Sequence, residues 1–243
     1  MKKEKRVKRR HLNKKKLFKF VLFILIICGA FYGFFNIRIK HIEINGTKYL
    51  TDKEIIEEAG IKDYPPMFSF NTISMINGIK KLDLVNDVNI RKSLFGKLTI
   101  NIDEATVLFY NKTKDKVVLS NGKEVNYDNK YLGVPTLLNY TPDDIYNDLV
   151  NGLSKIDENV LLMISEIEYS PSKAQDGSMI DNTRFLLRMN DKNTVYMNTI
   201  NITQLNKYIE ICSAILATQG NTSGILYLDS STEENYSFES YSK

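Results

Sequence analysis

Histidine, on which much acid–base and zinc chemistry depends, occurs only twice in this 243-residue chain. His11 lies in a basic amino-terminal segment, and His41 lies at the start of a predicted strand. A Ser-His-Asp or Cys-His site needs a histidine next to an activated nucleophile, and His41 has neither a glycine elbow nor a cysteine beside it. Zinc sites of the usual spacing need several His or Cys ligands. We therefore predict no catalytic nucleophile, no metal and no cofactor.

Paired carboxylates are the other groups to consider, because glycan hydrolysis uses two of them on either side of one bond. Asp103-Glu104 are neighbours in or just after a predicted strand, so their side chains point to opposite faces. Asp143-Asp144 fall in the first turn of a predicted helix, where the helix dipole accounts for them. Glu233-Glu234 lie in a polar tail. We therefore predict that the protein is not an enzyme.

An apolar stretch from Leu17 to Ile37, interrupted only by Lys19 and Asn36, dominates the organisation of the chain. At roughly 1.5 Å per residue it spans about 31 Å of helix, against about 30 Å of bilayer hydrocarbon. A cleaved signal peptide and a lipoprotein signal are the alternatives. The run is too long for the first and lacks a small-residue cleavage site, and Cys28 lies mid-span behind Leu25-Ile26-Ile27, where a lipidation signal needs a small residue. The sequence predicts a membrane helix at 17–37 that is not cleaved.

Charge is distributed very unevenly about this stretch. Residues 1–16 hold ten Lys/Arg and one Glu, so with a formal charge of +4 for the whole chain, residues 17–243 carry −5. Basic flanks stay in the cytoplasm, which predicts a cytoplasmic tail at 1–16 and an extracytoplasmic body. The tail lacks the interleaved aromatic residues of nucleic-acid binders, and we predict that it contacts anionic lipid.

The two cysteines do not predict a disulfide. Cys28 lies within the membrane stretch and Cys212 in the body, so the two sulfurs cannot meet. Cys212 lies on an apolar helical face and is predicted to be a small buried hydrophobe. An extracytoplasmic body without disulfides indicates a bacterial protein.

The first segment after the membrane has a clear order of elements. A strand begins at His41, a capped helix runs from Thr51 to Gly60, and a second helix follows Asn71 with Ile73, Ile76, Ile79 and Leu82 at helical spacing. Two alternating strands then flank a turn at 93–97. This order predicts a three-stranded sheet with two helices on one face.

That arrangement resembles the POTRA domain of the FtsQ/DivIB family of bacterial cell-division proteins. The resemblance rests on H-I-E-I-N-G-T-K-Y-L-T-D-K-E-I, M-F-S-F-N and V-N-D-V-N-I-R-K-S-L-F-G-K-L-T-I-N-I-D-E-A-T-V. The family usually has a proline in the last hairpin, where this chain has Phe95-Gly96. The resemblance implies an α+β protein in five parts: a tail at 1–16, the membrane helix at 17–37, a POTRA domain at 38–105, a β domain at 106–229 and a tail at 230–243.

The predicted β domain contains short strands and two helices. The first helix is predicted to be capped at Thr141-Pro142 and to carry Ile145, Leu149, Leu153 and Ile156. The second is predicted to run from an Asn201 cap to Gly220, with one buried stripe made of Ile202, Leu205, Ile209, Cys212 and Leu216. A last strand is predicted at 224–229, and the alternating tail after it is a candidate for an extra edge strand.

The resemblance also implies a function. Members of the family bind FtsL and FtsB/DivIC-type partners through the last strands of the second domain, which implies a partner-binding face here of Ile225, Leu226, Tyr227, Leu228, Tyr236 and Phe238. The expected function is a membrane scaffold of the divisome, located at the septum and supporting septal peptidoglycan synthesis. Two alternatives stay open: an anchored wall hydrolase with an unrecognised carboxylate pair, and a POTRA protein that handles exported polypeptides.

Overall fold

The structure is a computed structural model that describes residues 14–229 and 236–241. It has the α+β class expected from the sequence. The α-helices are α1 (Lys14–Phe35), α2 (Asp52–Glu58), α3 (Thr72–Ile79), α4 (Asp143–Leu153), α5 (Glu158–Leu161) and α6 (Tyr208–Gln219). The strands are β1 (His41–Asn45), β2 (Val85–Lys92), β3 (Lys97–Glu104), β4 (Val107–Asn111), β5 (Lys116–Leu119), β6 (Glu124–Asn126), β7 (Thr136–Leu137), β8 (Ile164–Tyr169), β9 (Ser172–Lys173), β10 (Met179–Asp181), β11 (Arg184–Met189), β12 (Thr194–Asn198), β13 (Gly224–Tyr227) and β14 (Ser237–Ser240).

Helix α1 contains most of the predicted membrane stretch. Its 22 residues span about 33 Å, and none of them is buried against the rest of the protein. Among the described residues it is the one helix that is long and apolar enough to cross a membrane. It begins three residues before the predicted start, because Lys14, Lys15 and Lys16 continue the helix.

Two compact units divide the chain: the first comprises residues up to 46, 52–81 and 88–102, and the second comprises 47–51, 82–87 and the chain from 103 onward. In the first unit, β1 pairs in parallel with β3, and the sheet order is β1-β3-β2. The predicted helix cap at Asn71 is confirmed, since its Oδ1 accepts the Ile73 backbone N–H at 2.9 Å. The predicted apolar stripe of this helix is wrong in part, because Met75 and Ile79 are buried while Ile73 is 66% exposed.

The second unit is built on a nine-stranded sheet, in the order β14-β13-β12-β11-β8-β7-β4-β5-β6. Helices α4 and α6 supply the buried apolar side chains that join those of the sheet in one core, among them Leu149, Ile211 and Phe185. The predicted cap at Thr141 is wrong: the residue at the N-cap is Pro142, and the buried Thr141 Oγ1 has no hydrogen-bond partner in the structure. Ile156 is buried but lies beyond the end of α4.

The second predicted long helix is broken into two kinds of helix. Residues Ile202–Lys207 form a 3₁₀-helix, and α6 begins at Tyr208. A 3₁₀ residue turns the chain by about 120° instead of about 100°, so six of them shift the buried face by roughly a third of a turn. The predicted stripe is therefore wrong at Ile209 and Leu216, which are half exposed, whereas Cys212 is partly buried against the core. The buried residues of α6 are Tyr208, Ile211 and Ile215.

Candidate functional site

The carboxyl-terminal edge of the nine-stranded sheet is the candidate site. Strand β13 pairs in parallel with β12, and β14 pairs antiparallel with β13, with Gly224 opposite Ser240 and Tyr227 opposite Ser237. Strand β14 lies in the part of the tail that the sequence offered as a candidate edge strand. No described strand pairs with the outer side of β14.

The alternation of hydrogen-bonded and non-bonded residues along β14 determines which of its backbone groups point away from β13. Tyr241 N–H donates to the Ser223 carbonyl at 3.1 Å, which makes these two residues a hydrogen-bonded pair. Bonded and non-bonded pairs alternate along an antiparallel ladder, so Glu239 is bonded to β13 while Phe238 and Ser240 are not. The N–H and C=O groups of Phe238 and Ser240 therefore point to the free edge.

Side chains hold β14 in place. The Phe238 ring covers Gly224 so closely that a Cβ on that glycine would lie 2.6 Å from the ring and 2.3 Å from the Glu239 carbonyl oxygen. At the same end of the strand pair, the Thr194 and Tyr241 hydroxyls are 2.8 Å apart and Asn221 Nδ2 donates to Ser240 Oγ at 3.0 Å. Because Gly224 has no side chain, β14 can pack closely against β13.

A polar and aromatic surface lies on the face of the sheet that does not form the core. The Tyr196 and Tyr227 rings stack with centroids 5.3 Å apart, and the Arg184 guanidinium lies 3.8 Å above the Tyr196 ring. Arg184 Nε also donates to Asp229 Oδ2 at 2.7 Å. Partial burial and the nearby Glu239 carboxylate raise the pKa of the Tyr227 phenol, so it is a neutral donor at physiological pH.

A buried hydrogen-bond network supports β13 from the core side. The Tyr208 hydroxyl donates to Asp191 Oδ2 at 2.7 Å, and Asn193 Nδ2 donates to the Tyr208 oxygen at 2.9 Å. Asn193 Oδ1 accepts the Gly224 backbone N–H at 2.9 Å. Burial, and then the Asp191 carboxylate, raise the pKa of Tyr208 far above its ordinary value. Sequence reasoning missed this network, and the Asp191-Lys192-Asn193 turn was its only sequence signal.

The six residues predicted to form one partner-binding face do not share a face. Leu226 and Leu228 are 2% and 0% exposed, so their side chains belong to the core. Phe238 also packs against the core and is only partly exposed. Ile225 and Tyr227 are partly exposed, and Tyr236 is 42% exposed. The cause is strand alternation, which turns consecutive residues to opposite faces.

The neighbouring carboxylates considered as catalytic pairs in the sequence have structural roles where the structure describes them. Glu104 accepts the backbone N–H of Tyr49 at 2.9 Å and that of Lys48. Asp143 lies in the first turn of α4, while Glu233-Glu234 and His11 lie outside the described residues. In the described part of the chain, no group of three or more His, Cys, Asp or Glu side chains could hold a metal ion.

A polar cleft of about 620 Å³ brings Glu124 and Asp143 to one surface. Glu124 Oε1 accepts from Lys114 Nζ and from the Tyr146 hydroxyl, both at 2.8 Å. Burial raises the pKa of Glu124, but these two hydrogen bonds outweigh it and the pKa is lowered overall. A glycosidase acid needs a raised pKa, so the cleft does not favour hydrolysis.

Comparisons with known proteins show similarity to bacterial cell-division proteins. Residues 37–105 match the POTRA domain, FtsQ-type. The cell division protein DivIB of Brevibacillus brevis is 28% identical over 194 residues, which are 77% of this chain and 71% of that protein. DivIB of Staphylococcus pseudintermedius is 26% identical over 182 residues, or 74% of this chain and 60% of that protein. Among solved structures, the major extracytoplasmic domain of Geobacillus stearothermophilus DivIB matches 47% of this chain and 97% of its own, with a TM-score of 0.36 and 21% identity.

Proposed function

Because the chain belongs to the FtsQ/DivIB family of bacterial cell-division proteins, we propose that it is a bitopic scaffold of the divisome. In this proposal α1 anchors the chain, the basic tail lies in the cytoplasm and the two units act outside the membrane. The protein recruits FtsL and FtsB/DivIC-type partners, is located at the septum and supports septal peptidoglycan synthesis. It does so by binding, without catalysis.

The observation that carries the proposal is the free edge of β14. Its outward N–H and C=O groups, those of Phe238 and Ser240, are a template on which an extended partner segment adds a further strand. The edge is short, four residues in all. A partner therefore needs side-chain contacts as well as main-chain hydrogen bonds.

Those side-chain contacts are assigned to the surface beside the edge. Ile225 and Tyr227 are partly exposed there, next to Tyr196. Tyrosine supplies a large contact area together with a hydroxyl donor, which makes it common at binding hot spots. Tyr236 extends this surface along the chain. Leu226 and Leu228 contribute indirectly, because they hold β13 in the core.

The experiment is co-purification of the FtsL and FtsB/DivIC-type partners with full-length variants. Ser240→Pro removes an outward N–H but leaves the inward ladder intact, since proline is tolerated on the solvent side of an edge strand. We expect captured partner to fall about tenfold, the equivalent of one or two main-chain hydrogen bonds.

Ser240→Ala is the matched control. It removes the hydroxyl that accepts from Asn221 but keeps the backbone N–H, so capture should stay near the wild-type level. Equal capture by Ser240→Pro and wild type would refute main-chain pairing at this edge. A fluorescent fusion should form a mid-cell band, and a uniform peripheral signal would contradict a septal role.

A further inference from the structure

Two segments of the first unit, the 65–67 loop and the β2–β3 turn, are hydrogen-bonded to the chain just after the membrane helix. Met67 N–H donates to the Ile37 carbonyl at 2.7 Å, and Ile39 N–H donates to the Pro65 carbonyl at 3.1 Å. Lys40 N–H donates to the Gly96 carbonyl at 2.8 Å. A chain advances at most about 3.6 Å per residue, so these bonds keep the 65–67 loop and the β2–β3 turn within about 20 Å of the end of α1.

One of these segments contacts the helix itself. The Phe68 ring stacks on Phe34 of α1 with centroids 4.5 Å apart and also meets the edge of Phe35 at 6.4 Å. Phe34 and Phe35 form the last turn of the helix, where a membrane span meets the headgroup layer. The loop that carries Phe68 is therefore at the level of the membrane surface.

The first unit exposes its large apolar side chains at this end. After the membrane helix, its described residues include four large hydrophobic side chains that are more than half exposed: Tyr64 (60%), Ile73 (66%), Leu94 (57%) and Phe95 (88%). Tyr64 precedes the 65–67 loop, and Leu94 and Phe95 form the β2–β3 turn. Ile73 is the second residue of α3. The chain just before this helix is held to the end of β2 by a 2.6 Å hydrogen bond from Lys92 Nζ to the Phe70 carbonyl.

The position of the β2–β3 turn is fixed by its glycine. Gly96 adopts φ +82°, and a Cβ there would lie 2.6 Å from the Arg38 carbonyl oxygen. Only glycine allows this close approach. The most exposed of the four side chains, Phe95, is thus held on a rigid turn next to the chain that leaves the membrane.

Basic side chains surround these apolar residues. The segments 37–43, 62–70 and 91–97 hold six lysines and arginines and two carboxylates, Glu43 and Asp63. Glu43 is already paired with Lys97 at 2.9 Å. The rest of the chain beyond residue 16 is acidic, so this end is a local positive patch. Exposed aromatic and aliphatic groups within a basic rim are the pattern of an interfacial membrane-binding surface.

We propose that this end of the first unit is a second membrane-contact site, distinct from the spanning helix and from the cytoplasmic tail. Phe95, Leu94 and Tyr64 insert into the interfacial layer of the bilayer that α1 spans, and the basic rim, including Lys62 and Arg91, contacts lipid phosphates. The occupant is the bilayer because the patch is continuous with the end of α1 through the Phe34–Phe68 stack. The contact holds the unit in a fixed orientation on the membrane surface.

The test uses the absence of tryptophan from the chain. Phe95→Trp places a single tryptophan on the turn of the full-length protein, reconstituted alone in vesicles that contain phosphatidylglycerol. Lys81→Trp is the control, since this exposed residue lies just after the other end of α3. We expect a blue-shifted emission for Phe95→Trp, and a loss of intensity when the lipids are brominated near the headgroups.

The control should show a hydrated emission with no loss of intensity. Adding Leu94→Ser to Phe95→Trp should reduce the quenching, and replacing Lys62 and Arg91 with glutamine should do the same. Equal quenching at Phe95→Trp and Lys81→Trp would overturn the proposal. So would a Phe95→Trp emission that shifts only after another divisome protein is added, because the occupant would then be a protein. No partner is present in the main experiment, so its failure leaves the proposed scaffold function unaffected.

Discussion

Tyr208 connects α6 to β13, the strand on which the edge strand β14 pairs. Its hydroxyl is shared by Asp191 and Asn193, and Asn193 in turn accepts the backbone N–H at the start of β13. Tyr208 and Asn193 are buried, whereas Asp191 is exposed to solvent. Loss of the Tyr208 hydroxyl therefore takes a hydrogen-bond partner from the buried Asn193 amide, which water cannot readily replace and which costs more than the bond itself contributes.

The first prediction is that Tyr208→Phe destabilises the folded body by about 1–3 kcal/mol. Urea unfolding of the full chain in detergent, followed by far-UV circular dichroism, measures this. Tyr227→Phe is the matched control, since its hydroxyl makes only a 3.4 Å contact with the exposed Glu239, and its cost should stay below about 0.5 kcal/mol. Equal costs would show that the network does not act as a unit.

Alkaline pH should also act on Tyr208. Its pKa is raised in the folded state above the ordinary value of 10.0. The folded protein therefore holds this proton where the unfolded chain has lost it, so the contribution is full below pH 10 and declines above that. We expect the urea midpoint to fall as pH rises above 10, and to fall less steeply in Tyr208→Phe. An identical slope in both proteins would contradict this assignment.

At the scale of elements, α6 shows where sequence periodicity is insufficient. The apolar residues from Ile202 to Leu216 fit one uninterrupted α-helix, and nothing in their spacing reveals the 3₁₀ segment at the start. The break follows from packing, which buries Ile202, Leu205 and Tyr208 at three-residue intervals, as the 3₁₀ period requires. By contrast, the Gly220 ending was predictable, because a left-handed residue (φ +69°) is a local need that glycine meets.

The shift in the buried face of α6 gives a direct prediction. Ile215→Ala should cost about 2–4 kcal/mol of unfolding free energy, because Ile215 is 4% exposed and its removal leaves a cavity. Leu216→Ala should cost less than about 1 kcal/mol, since Leu216 itself is 53% exposed. Denaturation midpoints of the two variants compare them directly. The reverse order would restore the single-helix interpretation.

The edge strand has its own test at Gly224. Gly224→Ala puts a Cβ into the space of the Phe238 ring and the Glu239 carbonyl, so β14 should detach while the remaining strands stay paired. Hydrogen exchange of the carboxyl-terminal peptide, read by mass spectrometry, should accelerate to near the unprotected rate. Ile225→Ala, which alters the opposite face of the same strand, should leave that protection largely intact. Protection that persists in Gly224→Ala would mean that Phe238 does not hold the strand.

For the whole molecule, the sequence was most informative where a single physical requirement acts alone. The long apolar helix follows from length and apolarity, and the order of elements along the first unit follows from alternation and turn residues such as Gly96. The directions of the side chains on β13 were harder to predict, because choosing residues 225–228 as a run ignores the alternation that buries Leu226 and Leu228. The network around Tyr208 joins residues far apart in sequence, and no local pattern predicts it.

The predicted topology gives a test of the intact protein. In cells stripped of their wall, an added protease should digest the body and spare the basic tail, because the tail's positive charge keeps it in the cytoplasm. An epitope at each end reports the two outcomes separately. A body that is cut only after lysis would reverse the orientation and remove the basis for both proposals.

The parallel pairing of β1 with β3 has a consequence for biogenesis. A chain exported from its amino-terminal side delivers His41 first, yet its sheet partner Lys97 arrives only after more than fifty further residues have crossed. The first sheet cannot close during that interval, because its central strand is still missing. Strand β14 arrives last of all. In the proposed function, complete translocation is thus a condition for assembly, since a stalled chain has no finished β14 edge for a partner to pair with.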